Sequence, residues 1–314
     1  MLDVKRLRVL KEVAATGSFS GAAESLSFTQ SAVSQQIATL ERETGMPLVE
    51  RNARGVRLTD AGLALVEHAD GILARLAAAE DELETIAGLR GGRLRLASFA
   101  TAGATLMPLA IATFSREHPG VELSLSETEP DDAIRMLKGG ELDVALTFEY
   151  STLPASFYEQ DREDIDLTPL IEDPMYIALP PDHPLARRRK LKLADLAAEA
   201  WVQGDCNGIC GRMHIAACES AGFEPRVGFQ SDDYNVVQGL VAAGVAISLL
   251  PQLALSNLRD DIVIRSLGKE GPVRHVYAAT LSSYRSPATE AMLGVLTGAA
   301  DDYRASLRPE FAAA

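Results

Sequence analysis

The sequence predicts an α+β chain in three parts, and three observations support this prediction. Residues 1–60 contain three short helical patterns followed by a hairpin pattern. Residues 61–90 contain one long helical pattern without proline. From residue 91 to residue 314, strand and helix patterns alternate, which is typical of α/β domains.

Charge is unevenly distributed between these parts. The chain has 30 Lys and Arg against 44 Asp and Glu, a net charge of −14, which taken alone argues against a nucleic-acid partner. Residues 1–60, however, carry eight basic and seven acidic side chains, a net charge of +1 that leaves −15 to the rest. The first part can therefore still carry a locally basic surface that contacts nucleic acid.

No pattern predicts secretion or membrane insertion. The first dozen residues contain charged side chains and no apolar run, so no signal peptide is expected. The most apolar stretch, Val236–Leu250, is interrupted by polar residues and glycines and is too short to span a bilayer. We therefore expect a soluble, cytoplasmic protein without membrane contacts.

Motifs for catalysis and metal binding are missing from the sequence. The histidines are scattered, and the chain has no nucleophile elbow, phosphate-binding loop or dinucleotide-binding glycine motif. Three cysteines do not make a disulfide framework, and the Cys206-x₃-Cys210 pair with Cys218 beyond it falls short of a zinc site. We expect no enzyme activity, no cofactor and no metal.

The third helical pattern of the first part is a candidate for reading DNA. Apolar residues at helical spacing define the buried faces, namely Leu7, Leu10 and Val13, then Ala22, Ala23 and Leu26, then Val33, Ile37 and Leu40. The opposite face of the third helix presents small and polar side chains, which are Ser31, Ser34, Gln35, Ala38 and Arg42. Serine and glutamine can hydrogen-bond base edges in the major groove. Thr29 and Gln30, at the helix N-terminus, offer backbone N–H groups to phosphate.

A short hairpin pattern over Leu48–Thr59 follows this helix. Its arginines, Arg51, Arg54 and Arg57, would supply phosphate or minor-groove contacts. From periodicity alone, a small three-helix bundle with a solvated polar face is an equally good interpretation.

The order and spacing of individual residues go further than periodicity. They comprise Phe19-Ser20-Gly21-Ala22-Ala23-Glu24-Ser25-Leu26, Thr29-Gln30-Ser31-Ala32-Val33-Ser34-Gln35-Gln36-Ile37, Leu40-Glu41, Gly45, Leu48, Arg51 and Leu58-Thr59-Asp60-Ala61-Gly62. This pattern resembles the winged helix-turn-helix of LysR-type transcriptional regulators over the first 62 residues. Two departures are Val49, where the family usually has Phe, and Asn52-Ala53 in place of the usual basic pair.

The resemblance implies double-stranded promoter DNA as a partner. Ser31, Ser34 and Gln35 would read bases, while Thr29, Gln30 and the hairpin arginines would hold the backbone.

The long helical pattern indicates a pairing surface. Apolar residues recur in steps of four and three as in a heptad repeat, at Leu65, Ala69, Ile72, Leu76, Ala79, Leu83 and Ile86. The resemblance makes this the linker helix, and we expect it to pair two copies in a homodimer or homotetramer, with a glycine hinge at Gly88, Gly91 and Gly92. The alternative is an amphipathic helix that packs on its own domain.

The rest of the chain is expected to form two α/β lobes. Strand patterns lie at 93–98, 121–127, 142–148, 175–179, 201–202, 227–230, 245–249 and 273–281, with helices at 106–118, 131–139 and 287–303. The opening β-α-β-α-β order predicts a mostly parallel sheet with helices on both faces. Two lobes joined by crossing strands, about 91–165 with 271–314 and about 166–270, resemble the effector-binding region of the same family, which is similar to periplasmic solute-binding proteins.

Ligands of open α/β sheets bind beyond the carboxyl ends of the strands. The candidate effector-binding residues at those ends are Ser98, Phe99, Ala100, Thr101, Thr128, Glu129, Phe148, Gln203, Asp205 and Asp232. Ser98 and Thr101 would suit a carboxylate ligand, whereas the acids, with Glu149, would favour an amine or a cation. The alternative is that Thr101, Asp205 and Asp232 are ordinary helix caps.

Together these patterns predict a homo-oligomeric, DNA-binding transcriptional regulator that responds to a small molecule bound between its lobes. One alternative is a thiol-responsive regulator of the same type that uses Cys206, Cys210 or Cys218. The other is a solute-binding or enzymatic α/β protein whose N-terminal bundle only dimerises it.

Overall fold

The computed structural model describes residues 2–52, 55–86, 92–159, 162, 164–188 and 191–307. The expectations for Ala53, Arg54, Gly88 and Gly91 lie outside these residues, as do those for the side chains of Arg51 and Ile86.

The first part folds as three helices and a hairpin, as the sequence predicts. These elements are α1 (Val4–Thr16), α2 (Phe19–Ser25), α3 (Gln30–Thr44), β1 (Val49–Asn52) and β2 (Gly55–Leu58). The helices begin at side-chain caps, because Asp3, Ser18 and Thr29 each accept a hydrogen bond from a backbone N–H of the first turn. Leu10, Ile37 and Leu40, with neighbouring apolar residues, form the core of this domain.

The long helix α4 (Asp60–Ile86) leaves this domain and packs along α1. Leu65 and Val66 join the core of the first domain, and Ala69 is buried. Ile72 and Leu83 are instead 43% and 66% exposed, and Ala79 is exposed as well. The predicted heptad seam is therefore divided, because its first residues pack on their own chain and its later ones face solvent.

Strands and helices alternate beyond the linker. In chain order they are β3 (Arg93–Ser98), α5 (Ala100–Gly103), α6 (Leu106–Glu117), β4 (Glu122–Glu127), α7 (Pro130–Lys138), β5 (Val144–Tyr150), α8 (Ser156–Glu159), β6 (Ile165–Leu179), β7 (Ala200–Gln203), α9 (Ile209–Ser220), β8 (Arg226–Gln230), α10 (Tyr234–Ala242), β9 (Ser248–Pro251), β10 (Val263–Ser266), β11 (Val273–Leu281) and α11 (Pro287–Ser306).

Two lobes share the long strand β6. Its first part, up to Pro174, pairs with β11 at the edge of the lobe I sheet, whose order is β6-β11-β5-β3-β4. Its second part, from Met175, pairs with β9 and β10 in lobe II. The chain therefore crosses between the lobes along β6 and returns through β11.

The opening β-α-β-α-β strands are parallel, as predicted, but the complete lobe I sheet is mixed because the crossing strands join it. β3 runs parallel to β4 and β5, and β7 runs parallel to β8. The crossing strands β6 and β11, however, run antiparallel to each other and to their described neighbours. Helices do cover both faces of the lobe I sheet, because α6 and α11 pack on one face and α7 packs on the other.

No helix in the described part of the chain is long and apolar enough to cross a bilayer.

Candidate functional site

The helix α3 presents a polar face to solvent. Its cap residue Thr29 accepts a hydrogen bond from the backbone N–H of Ala32 at 3.2 Å, and the hydroxyls of Thr29 and Ser31 lie 3.0 Å apart. Thr29, Gln30, Ser31 and Gln35 are exposed, and Ser34 is half-buried. The first turn contains no acidic residue, so its backbone N–H groups and partial positive charge remain suited to phosphate.

The hairpin β1–β2 is held against the helices at two points. The backbone N–H of Val56 donates to the carbonyl of Gly17 at 2.9 Å, and Glu41 accepts from the N–H of Leu48 at 2.9 Å. Gly55 has φ +134°, and a Cβ at this position would lie 2.9 Å from the carbonyl oxygen of Gly17. Arg57 is exposed to solvent on this hairpin.

A second candidate site is the cleft between the lobes. Its lining residues are Phe99, Ala100, Thr101, Glu129, Phe148, Tyr150, Met175, Gln203, Gly204, Cys210, Met213, His214, Ser231, Asp232, Tyr234, Val237, Ser248, Leu249 and Arg274. They come from both lobes and from the crossing strands, so any movement of one lobe against the other changes the cleft.

An ion pair between the crossing strands forms the floor of this cleft. Arg274 of β11 and Asp173 of β6 are direct partners in the strand register, and both side chains are almost completely buried. The guanidinium lies 2.6 Å from the carboxylate and donates to the hydroxyl of Thr101 at 2.8 Å. It also lies over the rings of Phe99 and Phe148, 4.8 and 4.9 Å from their centroids.

Burial disfavours the charged forms of Arg274 and Asp173, and their mutual attraction opposes this effect. Burial is the largest single influence on the pKa of Arg274 and lowers it, but Asp173 together with Tyr150, Tyr234 and Cys210 raises that pKa above its ordinary value. Asp173 also accepts a hydrogen bond from the backbone N–H of Leu253 at 3.0 Å. Burial raises the pKa of Asp173, and the attraction of Arg274 is the strongest influence that opposes this rise.

Two exposed carboxylates face the cleft from opposite lobes. Glu129 precedes α7 of lobe I and makes no side-chain cap bond, while Asp232 precedes α10 of lobe II. The pKa of Glu129 is raised, first by loss of hydration and then by repulsion from Asp232. Gly204 leaves room for Asp232, because a Cβ atom at position 204 would lie 2.3 Å from Oδ1 of Asp232.

Buried polar groups line the inner wall of lobe II. Gln203 is 3% exposed, and its Oε1 atom has no hydrogen-bond partner. His214 is buried beside Trp201, with ring centroids 4.6 Å apart, and its Nε2 atom is also unpartnered. Burial lowers the pKa of His214 to about 4, so the ring is neutral at physiological pH.

The three cysteines are free thiols in different surroundings. Cys206 accepts N–H hydrogen bonds from the amides of Gln230 at 2.7 Å and Gln203 at 3.4 Å. Cys210 lines the cleft, 3.4 Å from the hydroxyl of Tyr150, and burial raises its pKa. Burial also raises the pKa of Cys218 to about 12. Within the described residues, no group of three or more His, Cys, Asp or Glu side chains is placed to hold a metal.

The structure brings together seven of the ten residues named from strand ends. Those that line the cleft are Phe99, Ala100, Thr101, Glu129, Phe148, Gln203 and Asp232. Ser98, Thr128 and Asp205 are not among the lining residues. Ser98 is buried and donates its hydroxyl to the carbonyl of Phe99, and Asp205 accepts the backbone N–H of Asn207. Glu149 pairs with Arg162 outside the cleft lining.

The alternative that three of these residues are helix caps is wrong. Phe99, Gly208 and Asp233 hold the N-cap positions of α5, α9 and α10, so Thr101, Asp205 and Asp232 do not.

Sequence reasoning missed the central residue, Arg274. A single arginine in the otherwise mostly apolar strand pattern Val273–Leu281 was a usable signal, as was Asp173 two residues before Met175. Tyr150, Tyr234 and Met213 were also missed, because nothing in their local pattern separates them from ordinary core residues.

Comparisons with known proteins cover both parts of the chain. Residues 4–63 match the family model of the bacterial regulatory helix-turn-helix protein, lysR family, and residues 87–301 match that of the LysR substrate binding domain. The chain is 30% identical over 311 residues to the protein named "Probable HTH-type transcriptional regulator LrrA" of Synechococcus elongatus, covering 97% of this chain and 100% of that protein. It is 30% identical to a hydrogen peroxide-inducible genes activator of Dickeya chrysanthemi, covering 88% of each chain.

Solved structures show the same fold. A full-length OxyR variant from Pseudomonas aeruginosa superposes with a TM-score of 0.67 at 24% identity, covering 96% of this chain and 95% of that one. CbnR, a LysR family transcriptional regulator, superposes with a TM-score of 0.63 at 23% identity, covering 95% of this chain and 99% of that one.

Proposed function

Because the chain belongs to the LysR family of transcriptional regulators, we propose that it binds promoter DNA through α3 and changes that binding when a small molecule enters the interlobe cleft. The chain has the DNA-binding and effector-binding domains of that family, which removes the alternative of a solute-binding protein with a mere dimerisation bundle. We place it in the cytoplasm, where it reaches promoter DNA, and assign it no catalytic step.

The exposed polar face of α3 is the observation that carries the DNA-binding proposal. Ser31, Ser34 and Gln35 would contact base edges, and Thr29 and Gln30 would contact phosphate through the helix N-terminus. The hairpin arginines Arg51, Arg54 and Arg57 would hold the DNA backbone. In this proposal, residues 1–60 form the DNA-binding domain.

Two substitutions test this division of labour. Gln35→Ala should relax base preference at one position, because it removes a bidentate contact with an adenine worth about 1–3 kcal/mol. Arg57→Ala should weaken binding to all DNA sequences alike and should lower the salt dependence of binding by about one released counterion. Fluorescence anisotropy with operator variants at two salt concentrations measures both. The control is Arg116→Ala, which removes an exposed arginine from lobe I.

The control should match the parent. Equal effects of Gln35→Ala and Arg57→Ala on every operator variant would refute the proposed roles.

Dimerisation is assigned to the exposed part of α4. Ile72, Ala79 and Leu83 lie at heptad spacing and contact solvent in the single chain, which leaves an apolar strip for a second copy. Pairing along α4 presents two α3 helices to a pseudo-palindromic site, and this doubles the number of bases that are read.

Effector binding is assigned to the cleft because both lobes and both crossing strands contribute to its lining. A ligand that contacts both lobes favours one arrangement of them, and DNA binding responds only in proportion to that preference. A thermal-shift screen of metabolites tests this assignment, since a ligand of the folded state raises the melting temperature.

A second candidate function is peroxide sensing through Cys206. This thiol lies beside the cleft, accepts two amide hydrogen bonds, and the chain has a relative named as a hydrogen peroxide-inducible genes activator. The raised pKa values of Cys210 and Cys218 disfavour their thiolate forms and so argue against either as the reactive thiol. If Cys206→Ser leaves the response of DNA binding to peroxide unchanged, this candidate is excluded.

A further inference from the structure

The basic groups in the cleft lining are not available to an anionic ligand. Arg274 is paired with Asp173 at 2.6 Å and donates to Thr101. His214 is neutral, because burial lowers its pKa to about 4. Among the lining residues that the structure describes, no other basic side chain is present. A carboxylate ligand would therefore meet no unpaired positive charge.

The acidic groups in the same lining are, in contrast, unpaired. Glu129 and Asp232 form no ion pair with any described residue, and they belong to opposite lobes. The only described hydrogen bond of Asp232 comes from the backbone N–H of Asp205, at 3.3 Å. Because Arg274 and Asp173 offset each other, these two unpaired carboxyl groups make the cleft acidic.

A third acceptor lies deeper in the cleft. Gln203 is 3% exposed, lines the same wall as Asp232, and its Oε1 atom has no hydrogen-bond partner. A buried carbonyl oxygen without a donor is costly, so its presence in a ligand cleft points to a donor supplied by the ligand. These two carboxylates and the amide oxygen together favour a ligand group that donates several hydrogen bonds.

We propose that the effector carries an ammonium or guanidinium group that binds between Glu129 of lobe I and Asp232 of lobe II and donates to Oε1 of Gln203. This assignment rests on the proposed effector role of the cleft. The group supplies the positive charge that neither lobe supplies itself, and its several N–H donors match the three acceptors.

The position of the two acids gives the ligand a means of moving the lobes. Glu129 and Asp232 repel each other across the cleft, and this repulsion contributes to the raised pKa of Glu129. A cation between them replaces the repulsion with two attractions, so it binds the arrangement in which the lobes are closer more tightly. The energy that couples ligand to lobe arrangement is therefore electrostatic.

Calorimetry on the full chain at neutral pH tests the ligand class. The probes are n-propylammonium, putrescine and agmatine, with propionate and succinate as anions of comparable size and MgCl₂ and CaCl₂ as metals alone. We expect saturable binding of at least one amine or guanidine and none of the anions or metals. Binding of an anion or of a metal in preference to all three cations would overturn the proposal, as would the absence of binding by every cation.

Three variants locate the binding. Glu129→Gln and Asp232→Asn should each weaken cation binding by about tenfold or more, which corresponds to about 1.4 kcal/mol. Glu122→Gln is the matched control, because it removes an exposed carboxylate from the same lobe that does not line the cleft, and it should bind as the parent does. Equal affinity in all of these variants would place the cation elsewhere and refute the site.

A parallel promoter-binding assay separates this proposal from the function on which it rests. If the cation binds through Glu129 and Asp232 but DNA binding does not change, the ligand class stands and the regulatory role of the cleft fails. If an anion changes DNA binding instead, the regulatory role stands and the ligand class fails.

Discussion

Replacing Arg274 by Met tests the importance of the buried ion pair for stability. The substitution removes the guanidinium that lies 2.6 Å from Asp173 but keeps an apolar side chain of similar length between Phe99 and Phe148. Asp173 is then left with 0% exposure and with backbone donors such as the N–H of Leu253. Breaking a buried pair on one side costs about 3–5 kcal/mol, or about two to four orders of magnitude in the unfolding equilibrium.

Urea unfolding measures this loss of free energy. Trp201 is the single tryptophan of the chain and is buried in lobe II, so its fluorescence reports on the effector-binding domain. The double variant Asp173→Leu/Arg274→Met should recover most of the loss, because it leaves no buried charge. The matched control is Arg285→Met, which breaks a partly exposed pair with Asp166 of the same strand β6 and should cost about 1 kcal/mol or less.

The stability loss of Arg274→Met should also depend on pH in a definite direction. Burial raises the pKa of Asp173, and Arg274 is the strongest influence that opposes this rise, so Arg274→Met should raise the pKa further. A carboxyl group whose pKa is higher in the folded than in the unfolded state stabilises the fold at pH values below the unfolded-state pKa, near 3.9. This stabilisation is lost as the pH rises through the folded-state pKa. The difference in free energy of unfolding between the parent and Arg274→Met should therefore become smaller as pH falls from about 7 to about 5.

Two results would refute this reasoning. A loss below about 1 kcal/mol in Arg274→Met would mean that the pair is accessible to water. A double variant as unstable as the single one would mean that lost packing and not an uncompensated charge causes the effect.

Three further substitutions test other contacts. Gly55→Ala should weaken promoter binding about fivefold or more by displacing the hairpin, because its Cβ would lie 2.9 Å from the carbonyl of Gly17, whereas Gly71→Ala, which meets no atom within 4 Å, should not. Leu83→Glu should shift sedimentation towards monomer, while the same change at exposed Leu125 on β4 should leave it unaltered. Lys11→Met removes ion pairs of 3.1 Å to Asp70 and 2.8 Å to Glu141, which join α1, α4 and lobe I. It should cost about 1 kcal/mol or less in stability but reduce the effector-dependent change in DNA affinity, and an unchanged response would show that these contacts transmit nothing.

The N-terminal domain could be predicted closely because its determinants are local. The caps Ser18 and Thr29 and the left-handed stops at Gly17 and Gly45 lie within a few residues of the helices they bound. The apolar spacing of Val33, Ile37 and Leu40 then fixes which face of α3 remains exposed. Such short-range determinants can be recognised from a single sequence.

The crossing strand β6 could be predicted only in part, because its first section lacks an ordinary strand pattern. Pro169 lies at an irregularity in the pairing with β11, at the sheet edge, where a missing N–H is tolerated. Pro174 lies where the strand leaves the lobe I sheet, just before Met175 joins lobe II. Both prolines obscured a 15-residue strand, of which only the apolar end from Met175 was recognised.

The strand-end rule located the cleft but could not reveal its polarity. Arg274 and Asp173 are 101 positions apart, and only the register of β11 against β6 shows that they neutralise each other. Without that pairing, the hydroxyls of Ser98 and Thr101 suggested a carboxylate ligand as readily as the acids suggested a cation. In the structure, Ser98 donates to a carbonyl and does not line the cleft, and the hydroxyl oxygen of Thr101 accepts from Arg274.

The placement of this ion pair on the crossing strands links the fold to the choice of ligand. An anionic effector would have to compete with Asp173 for Arg274, and it would thereby expose a buried carboxylate at the point where the chain passes between the lobes. A cation held by Glu129 and Asp232 leaves this pair intact and acts only on exposed charges at the opposing faces of the cleft. The lobes can then move relative to each other without any change in the ionisation of their shared strands.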